Sequence, residues 1–228
     1  MHLPIVGKIK KSHQAAVEAL LFVLPWALTA FYIISALFLL GDRSTEFLGL
    51  VGAYVLTPLG KGSIIPLAVA LDFDPFVIAS YIALIDVIIG LFFAWNWNLL
   101  LKIPLVGPLL KSLALKTSDL LKHRVWVREL AYTGIALFMA LPIQPGGSIT
   151  AAVFGRILGL ESNKTVTAIA IGATISSFGY AYAASGVITA FRENIYLGIA
   201  VVAALLLIAH YVYHAYLKPL DDHGFRRR

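Results

Sequence analysis

No cysteine occurs anywhere in the 228 residues. Disulfides and thiolate metal sites are therefore excluded, and the redox compartment stays open. Charge is the second scarcity. Asp, Glu, Lys and Arg make up 13% of the chain, against roughly 25% in average soluble domains. So little charge cannot wet a globular surface, and the chain reads as a polytopic membrane protein. The motifs of enzyme chemistry are missing too: there is no nucleophile elbow, phosphate loop or dinucleotide fingerprint. The six histidines show no metal-ligand spacing beside carboxylates, and no nucleic-acid module accompanies the net charge of +6. The reading is a non-enzyme without cofactor or metal and without a nucleic-acid partner. The N-terminus is basic, but the first apolar run is long and lacks a small-residue cleavage pattern. It reads as a retained helix rather than a signal peptide.

What is present is apolar sequence: 60% of residues are hydrophobic, and the mean hydropathy is +0.86. Two glycine-proline stretches interrupt it, Thr57-Pro58-Leu59-Gly60-Lys61-Gly62-Ser63-Ile64-Ile65-Pro66 and Leu141-Pro142-Ile143-Gln144-Pro145-Gly146-Gly147-Ser148-Ile149-Thr150. Helix breakers are costly here, because lipid offers no partner to a freed backbone group. The apolar arm on either side of each break is about a dozen residues, short of the roughly 20 that a helix needs to cross a bilayer. Each stretch therefore predicts a re-entrant helical hairpin, over 46–72 and 129–160.

Around the hairpins the sequence predicts an all-α integral membrane fold with about four spanning helices. They are 15–40, kinked at Pro25, then 75–95, 164–190 and 195–217. Asp74 is the expected N-cap of the second span and Pro75 its first residue. Ser162 or Asn163 is the expected cap of the third. Trp95-Asn96-Trp97-Asn98 closes the second span as an interfacial aromatic belt. Residues 99–128 alternate Leu, Ile and Val with Lys and Arg and predict an interfacial amphipathic segment. Its alternative is an ordinary cytoplasmic loop.

Charge fixes a topology. Lys8, Lys10 and Lys11, six Lys and Arg within 99–128, and Lys218 with Arg226, Arg227 and Arg228 account for thirteen of the 18. The positive-inside rule then puts both termini and the central segment in the cytoplasm of a multi-pass cell-membrane protein. One hairpin enters from outside and the other from the cytoplasm. The units 46–95 and 129–190 become inverted repeats within a single transmembrane domain, 1–228, with Gly62-Ser63-Ile64 and Gly147-Ser148-Ile149 offset by 85 residues. Such repeats, with broken helices meeting near the midplane, are a secondary-transporter architecture.

The second stretch also carries a resemblance. Pro142, Pro145-Gly146-Gly147-Ser148, Leu158-Gly159-Leu160 and then Ile171-Gly172 look like the motif of the small multidrug export family, itself similar to the DedA family of membrane proteins. In the first stretch Ile65-Pro66 matches. The family tends to show Glu and Arg just before it, where this chain has Gly60, Lys61, Gly62 and Ser63. The resemblance covers about 45–190. It implies an inverted pair of re-entrant hairpins and, more loosely, export or lipid translocation.

The candidate site lies where the hairpin turns meet. Each outbound arm opens with unpaired N–H groups and the positive end of its dipole, and two opposed helix N-termini suit an anion. The expected substrate-binding residues are Lys61, Gly62, Ser63, Pro66, Pro142, Pro145, Gly146, Gly147, Ser148 and Arg156. The glycines and prolines read equally as tight-turn devices, and Arg156 reads either as meeting a phosphate bidentately or, in preference, as reaching the cytoplasmic headgroups. Lys61 is a charge at membrane depth, which marks a site. Asp86, mid-span, is the expected coupling residue for a proton or Na⁺ or a partner for Lys61 or Arg156, with a structural hydrogen bond to a neighbouring helix as the alternative.

The expected function is a secondary transporter or flippase of an anionic amphiphile such as a polyprenyl phosphate carrier. Two alternatives stand beside it: efflux of small cationic drugs, and a non-transporting membrane scaffold or assembly factor that uses 99–128 as its partner surface. Membrane lipids and a small amphiphilic substrate are the expected partners. So small a unit is compatible with a homodimer.

Overall fold

The computed structural model describes residues 4–57, 60–121, 125–140 and 147–212, and every element among them is helical. In order these are α1 (Pro4–Leu40), a 3-10 turn (Gly41–Arg43), α2 (Ser44–Leu56), α3 (Lys61–Ala70), α4 (Pro75–Trp95), α5 (Trp97–Leu100), α6 (Gly107–Leu121), α7 (Val125–Ala140), α8 (Gly147–Ile157), α9 (Ser162–Glu193) and α10 (Ile195–Val212). The chain divides into two compact units, residues 1–181 and 182–228. Among the described residues, three stretches are long and apolar enough to cross a membrane: Ala16–Leu56, Pro75–Trp95 and Ser162–Glu193. The expected fourth span, 195–217, begins as α10, and its last residues lie outside the described ones.

α4 is the hub of the first unit. It packs against α1, α3 and α8, and eleven of its residues are buried, from Ile78 to Ala94. The helix starts where expected. The Asp74 carboxylate accepts from the Val77 N–H at 3.0 Å and Pro75 occupies the first turn, so an otherwise orphaned donor is satisfied. α9 lies against α4 closely enough that a methyl group added to Gly90 would stand 2.8 Å from Ile169 Cδ1. The start of α9 differs from expectation. Ser162 spends its hydroxyl on the Ala94 carbonyl and Asn163 accepts from the Trp95 indole. Both side chains tie α9 to the end of α4, and the first α9 backbone bond, from Thr165 N–H, goes to Glu161.

The two interrupted helices form two packed pairs, α2 with α3 and α7 with α8. Between α2 and α3 the chain turns at Gly60, whose φ of 65° and ψ of 171° suit a residue without Cβ. At the far end of α3, Arg43 donates to the Leu71 carbonyl at 2.6 Å and lies over the Phe73 ring at 3.9 Å. One guanidinium thus satisfies a helix C-terminus and packs on an aromatic face. Beside it Phe73, Phe47, Tyr81 and Tyr32 make successive edge-to-face contacts. The turn between α7 and α8 lies outside the described residues.

The segment 99–128 divides. α5 ends at Leu100 and α6 begins at Gly107. α6 buries Leu110 against Trp97 and Ile157 while Leu109 and Leu115 stay exposed. Its apolar positions therefore serve two faces, one on α8 and one outward. α7 begins at Val125, four residues before the expected start of the second hairpin. In the second unit, Asn194 accepts the Tyr196 N–H at 2.8 Å and caps α10. Large apolar side chains point outward over much of the surface, Phe38 86% and Leu56 86% exposed among them, as a lipid-facing helix requires.

Close backbone approach makes a testable demand. A methyl group on Gly172 would meet the Ala136 carbonyl and stand 2.7 Å from Met139 Cβ, so α7 and α9 touch through this glycine. Gly172→Val is expected to lower stability by about 1–3 kcal/mol, read as an earlier midpoint in denaturant unfolding of the solubilised protein. Gly179→Ala, with nothing within 4 Å of the added methyl, is expected to leave the midpoint within about 1 kcal/mol.

Candidate functional site

Lys61 is the first residue of α3, Ser148 the second of α8, and Asp86 lies midway along α4. The three meet. Lys61 Nζ donates to Asp86 Oδ2 at 2.7 Å, and the Ser148 hydroxyl donates to Asp86 Oδ1. Tyr54, near the end of α2, donates its hydroxyl to the same Oδ1 at 2.6 Å. The second Lys61 bond runs to Ser176 Oγ on α9, at 3.0 Å. Ser176 accepts it because its own hydroxyl hydrogen is directed to the Gly172 carbonyl at 2.7 Å. Five helices therefore supply one polar cluster.

Four of its members are out of solvent, Asp86 at 0% and Lys61 at 2% exposed with Ser148 and Ser176 buried beside them, and Tyr54 is half-buried. A lone charge at this depth costs many kcal/mol, whereas a paired and hydrogen-bonded one is tolerated. The carboxylate has three donors on its two oxygens. The ammonium has two acceptors for its three hydrogens. Two further hydroxyls, of Tyr32 and Ser177, are buried without a hydrogen-bond partner.

The remaining sequence-predicted residues are placed as follows. Gly147 is buried at the start of α8 beside Ser148. Gly62 and Pro66 are half-buried within α3, and Ser63 is exposed. The helical turn that carries Lys61 inward carries Ser63 outward, since residues two apart do not share a helix face. Arg156 lies about 12 Å along α8 from Ser148 at the rise of a helix. There Nη1 donates to the Leu160 carbonyl at 2.8 Å and Nε is buried without a partner. The guanidinium closes its own helix and stays away from Asp86. Pro142, Pro145 and Gly146 lie outside the described residues.

Two members escaped the sequence reading by role. Tyr54 is a lone hydroxyl in the apolar run from Phe47 to Leu56, three residues before the break, and that isolation was the available signal. Ser176 belongs to the run of small residues between Gly172 and Gly186. There a packing role and a ligating role look identical in sequence.

A family model described as "Putative small multi-drug export protein" matches residues 61–178, slightly more than half of the chain. The matched range begins at Lys61 and ends just past Ser176, so it contains four of the five cluster residues and omits Tyr54. No curated protein and no solved structure matches the chain.

The ion pair has a thermodynamic signature. Asp86→Ala and Lys61→Met each leave one buried charge uncompensated and are expected to cost about 3–5 kcal/mol. The double variant removes both charges and is expected to recover most of that loss. A double-mutant cycle on denaturant unfolding measures it, and additive single effects would contradict the pairing.

Proposed function

The chain belongs to the small multi-drug export family, and from that premise we propose that it is a proton-coupled secondary transporter that carries an anionic amphiphile across the cell membrane. One observation carries the reading: the first turns of two short helices, α3 and α8, converge on one carboxylate at the middle of an apolar helix. α3 has ten residues and α8 eleven, about 15–17 Å of helix, while a bilayer core is about 30 Å thick. Each pair, α2 with α3 and α7 with α8, is read as a re-entrant hairpin, and the two as inverted repeats. The excess of Lys and Arg in the tails and the central segment supports cytoplasmic termini.

In the cluster Asp86 occupies the position of an anion. It receives Lys61, Ser148 and Tyr54, and it faces the positive ends of two helix dipoles. Protonation of Asp86 releases these donors. A phosphate or carboxylate headgroup then takes them over, and proton and anion move together. A proton fits better than Na⁺, because the Lys61 ammonium at 2.7 Å already takes the place beside Asp86 that a metal cation would need. A polyprenyl phosphate has the required headgroup, and the outward apolar faces of the helices accommodate its tail. Lipid translocation in this sense is the favoured cargo.

The family's description, small multi-drug export, favours a second reading, export of small drugs, in which a cationic drug displaces Lys61 from Asp86. Proteoliposomes separate the two. A fluorescent short-chain polyprenyl phosphate is expected to cross faster down a proton gradient. Asp86→Asn is expected to uncouple movement from the gradient. Lys61→Ala is expected to slow it about 10- to 100-fold, the loss of one or two charge-assisted bonds. Proton-driven movement of a lipophilic monovalent cation, with the phosphate lipid left unmoved, would establish the second reading instead.

A further inference from the structure

Away from the charge cluster, α1 and α4 run beside one another and leave two cavities along their seam. The first, about 650 Å³, is lined by Glu18, Phe22, Trp95, Asn96, Asn98 and Lys102. The second, about 320 Å³, is lined by apolar side chains, among them Pro25, Trp26, Val55, Ile85, Ile88 and Phe92. On α1 the lining residues 18, 22, 25, 26 and 29 recur at helical spacing, and on α4 residues 85, 88, 92 and 95 do the same in the opposite chain direction. The cavities therefore follow one another along a single groove. Phe92 joins them: its ring lies 6.0 Å from Phe22, in the wall of the first, and 5.7 Å from Trp26, in the wall of the second.

The groove has the two ends of an amphiphile. Its length from Glu18 to Thr29 is about 16 Å by helix rise, half of a bilayer core of about 30 Å, which is the depth of one leaflet. One end is apolar. The other holds one carboxylate and one ammonium, both exposed, with two amides in the same lining. The carboxylate end is rich in acceptors. Asn96 uses its amide hydrogens on the Leu21 and Phe92 carbonyls, which leaves its oxygen to accept. Trp95 uses its N–H on Asn163, which leaves its ring face for a cation. Lys102 is the single charged donor for a phosphate.

We propose that the groove between α1 and α4 binds one phospholipid with a zwitterionic phosphoethanolamine headgroup. Its primary ammonium sits against Glu18, Asn96 and the aromatic rings, its phosphate against Lys102, and one acyl chain runs past Phe92 into the apolar cavity. The site is independent of the Lys61–Asp86 cluster, and its occupant is a resident lipid of one leaflet rather than the transported molecule.

Native mass spectrometry of the detergent-solubilised full-length protein tests this with three probes: phosphatidylethanolamine, phosphatidylglycerol of the same chains, and tail-less glycerophosphoethanolamine. The expected result is one retained phosphatidylethanolamine, preferred over phosphatidylglycerol by about two- to fivefold or more, the range of a cation–aromatic and carboxylate contact at a wet site. Glu18→Gln is expected to reduce the preference, Lys102→Gln to weaken both lipids alike, and Thr29→Trp, which fills the apolar end, to release both. Equal retention of the two lipids by the unaltered protein would overturn the proposal. So would an intact preference in Glu18→Gln, or displacement of the lipid by the tail-less headgroup at equal concentration.

Discussion

A lysine ammonium and a carboxylate 2.7 Å apart, in the middle of an apolar helix bundle, set the terms for everything packed around them. Neither charge survives there alone. An isolated ion in such a medium loses far more hydration energy than packing returns. The bundle replaces water with Tyr54, Ser148 and Ser176, one hydroxyl from each of three different helices. The cluster is consequently also a register device. α2, α3 and α8 must each present one particular residue to Asp86 on α4, and α9 one to Lys61; a shift of α3 by a single position strands both charges, and a shift of α2, α8 or α9 costs them a hydrogen bond.

Interrupted helices are what make this convergence achievable. Along an unbroken spanning helix, polar side chains must sit on a stripe and share the surrounding apolar face. A helix that starts at depth delivers its first residues directly to the centre, together with backbone donors that have no partner inside the helix. Lys61 and Ser148 are such residues. Gly60 permits the sharp entry into α3 through its positive φ, and small residues at Gly90 and Gly172 let α9 approach α4 and α7 closely. The apparent liabilities of the sequence, glycine and proline within apolar runs, are thus the means by which a charge pair is assembled from distant positions.

Much of this was legible because the signals are strong and local. Asp74-Pro75 marks a helix start through backbone hydrogen bonding alone, and the structure begins α4 there. Lys61 and Asp86 stood out because charges are so rare in apolar sequence. Their mutual pairing was one option among several, since sequence holds no distance information across 25 residues. What stayed hidden were tertiary choices. Arg156 looked available to a ligand, but the orphaned carbonyls at the end of its own helix claim it. Ser63 looked equivalent to Ser148, yet Lys61 takes the inward position in α3 and rotates Ser63 outward. Ser162 and Asn163 looked like caps and instead anchor α9 to α4. In each case a polar group had two chemically equal partners, and only packing chose between them.

The identity of the cation completes the logic. An arginine at position 61 would stay charged under all conditions and would present a planar fork suited to one partner. The lysine ammonium radiates three donors from a point, which lets it bridge Asp86 on α4 and Ser176 on α9 at once. The pair is electrically neutral as it stands. A unit charge moved through the full membrane potential costs about 2.3 kcal/mol per 100 mV, so a neutral pair reorients without working against that field. Adding a proton together with a monoanion, a carboxylate or a singly protonated phosphate monoester, preserves the neutrality. The proposed cycle therefore changes which anion Lys61 faces and leaves the net charge carried by the moving parts unaltered.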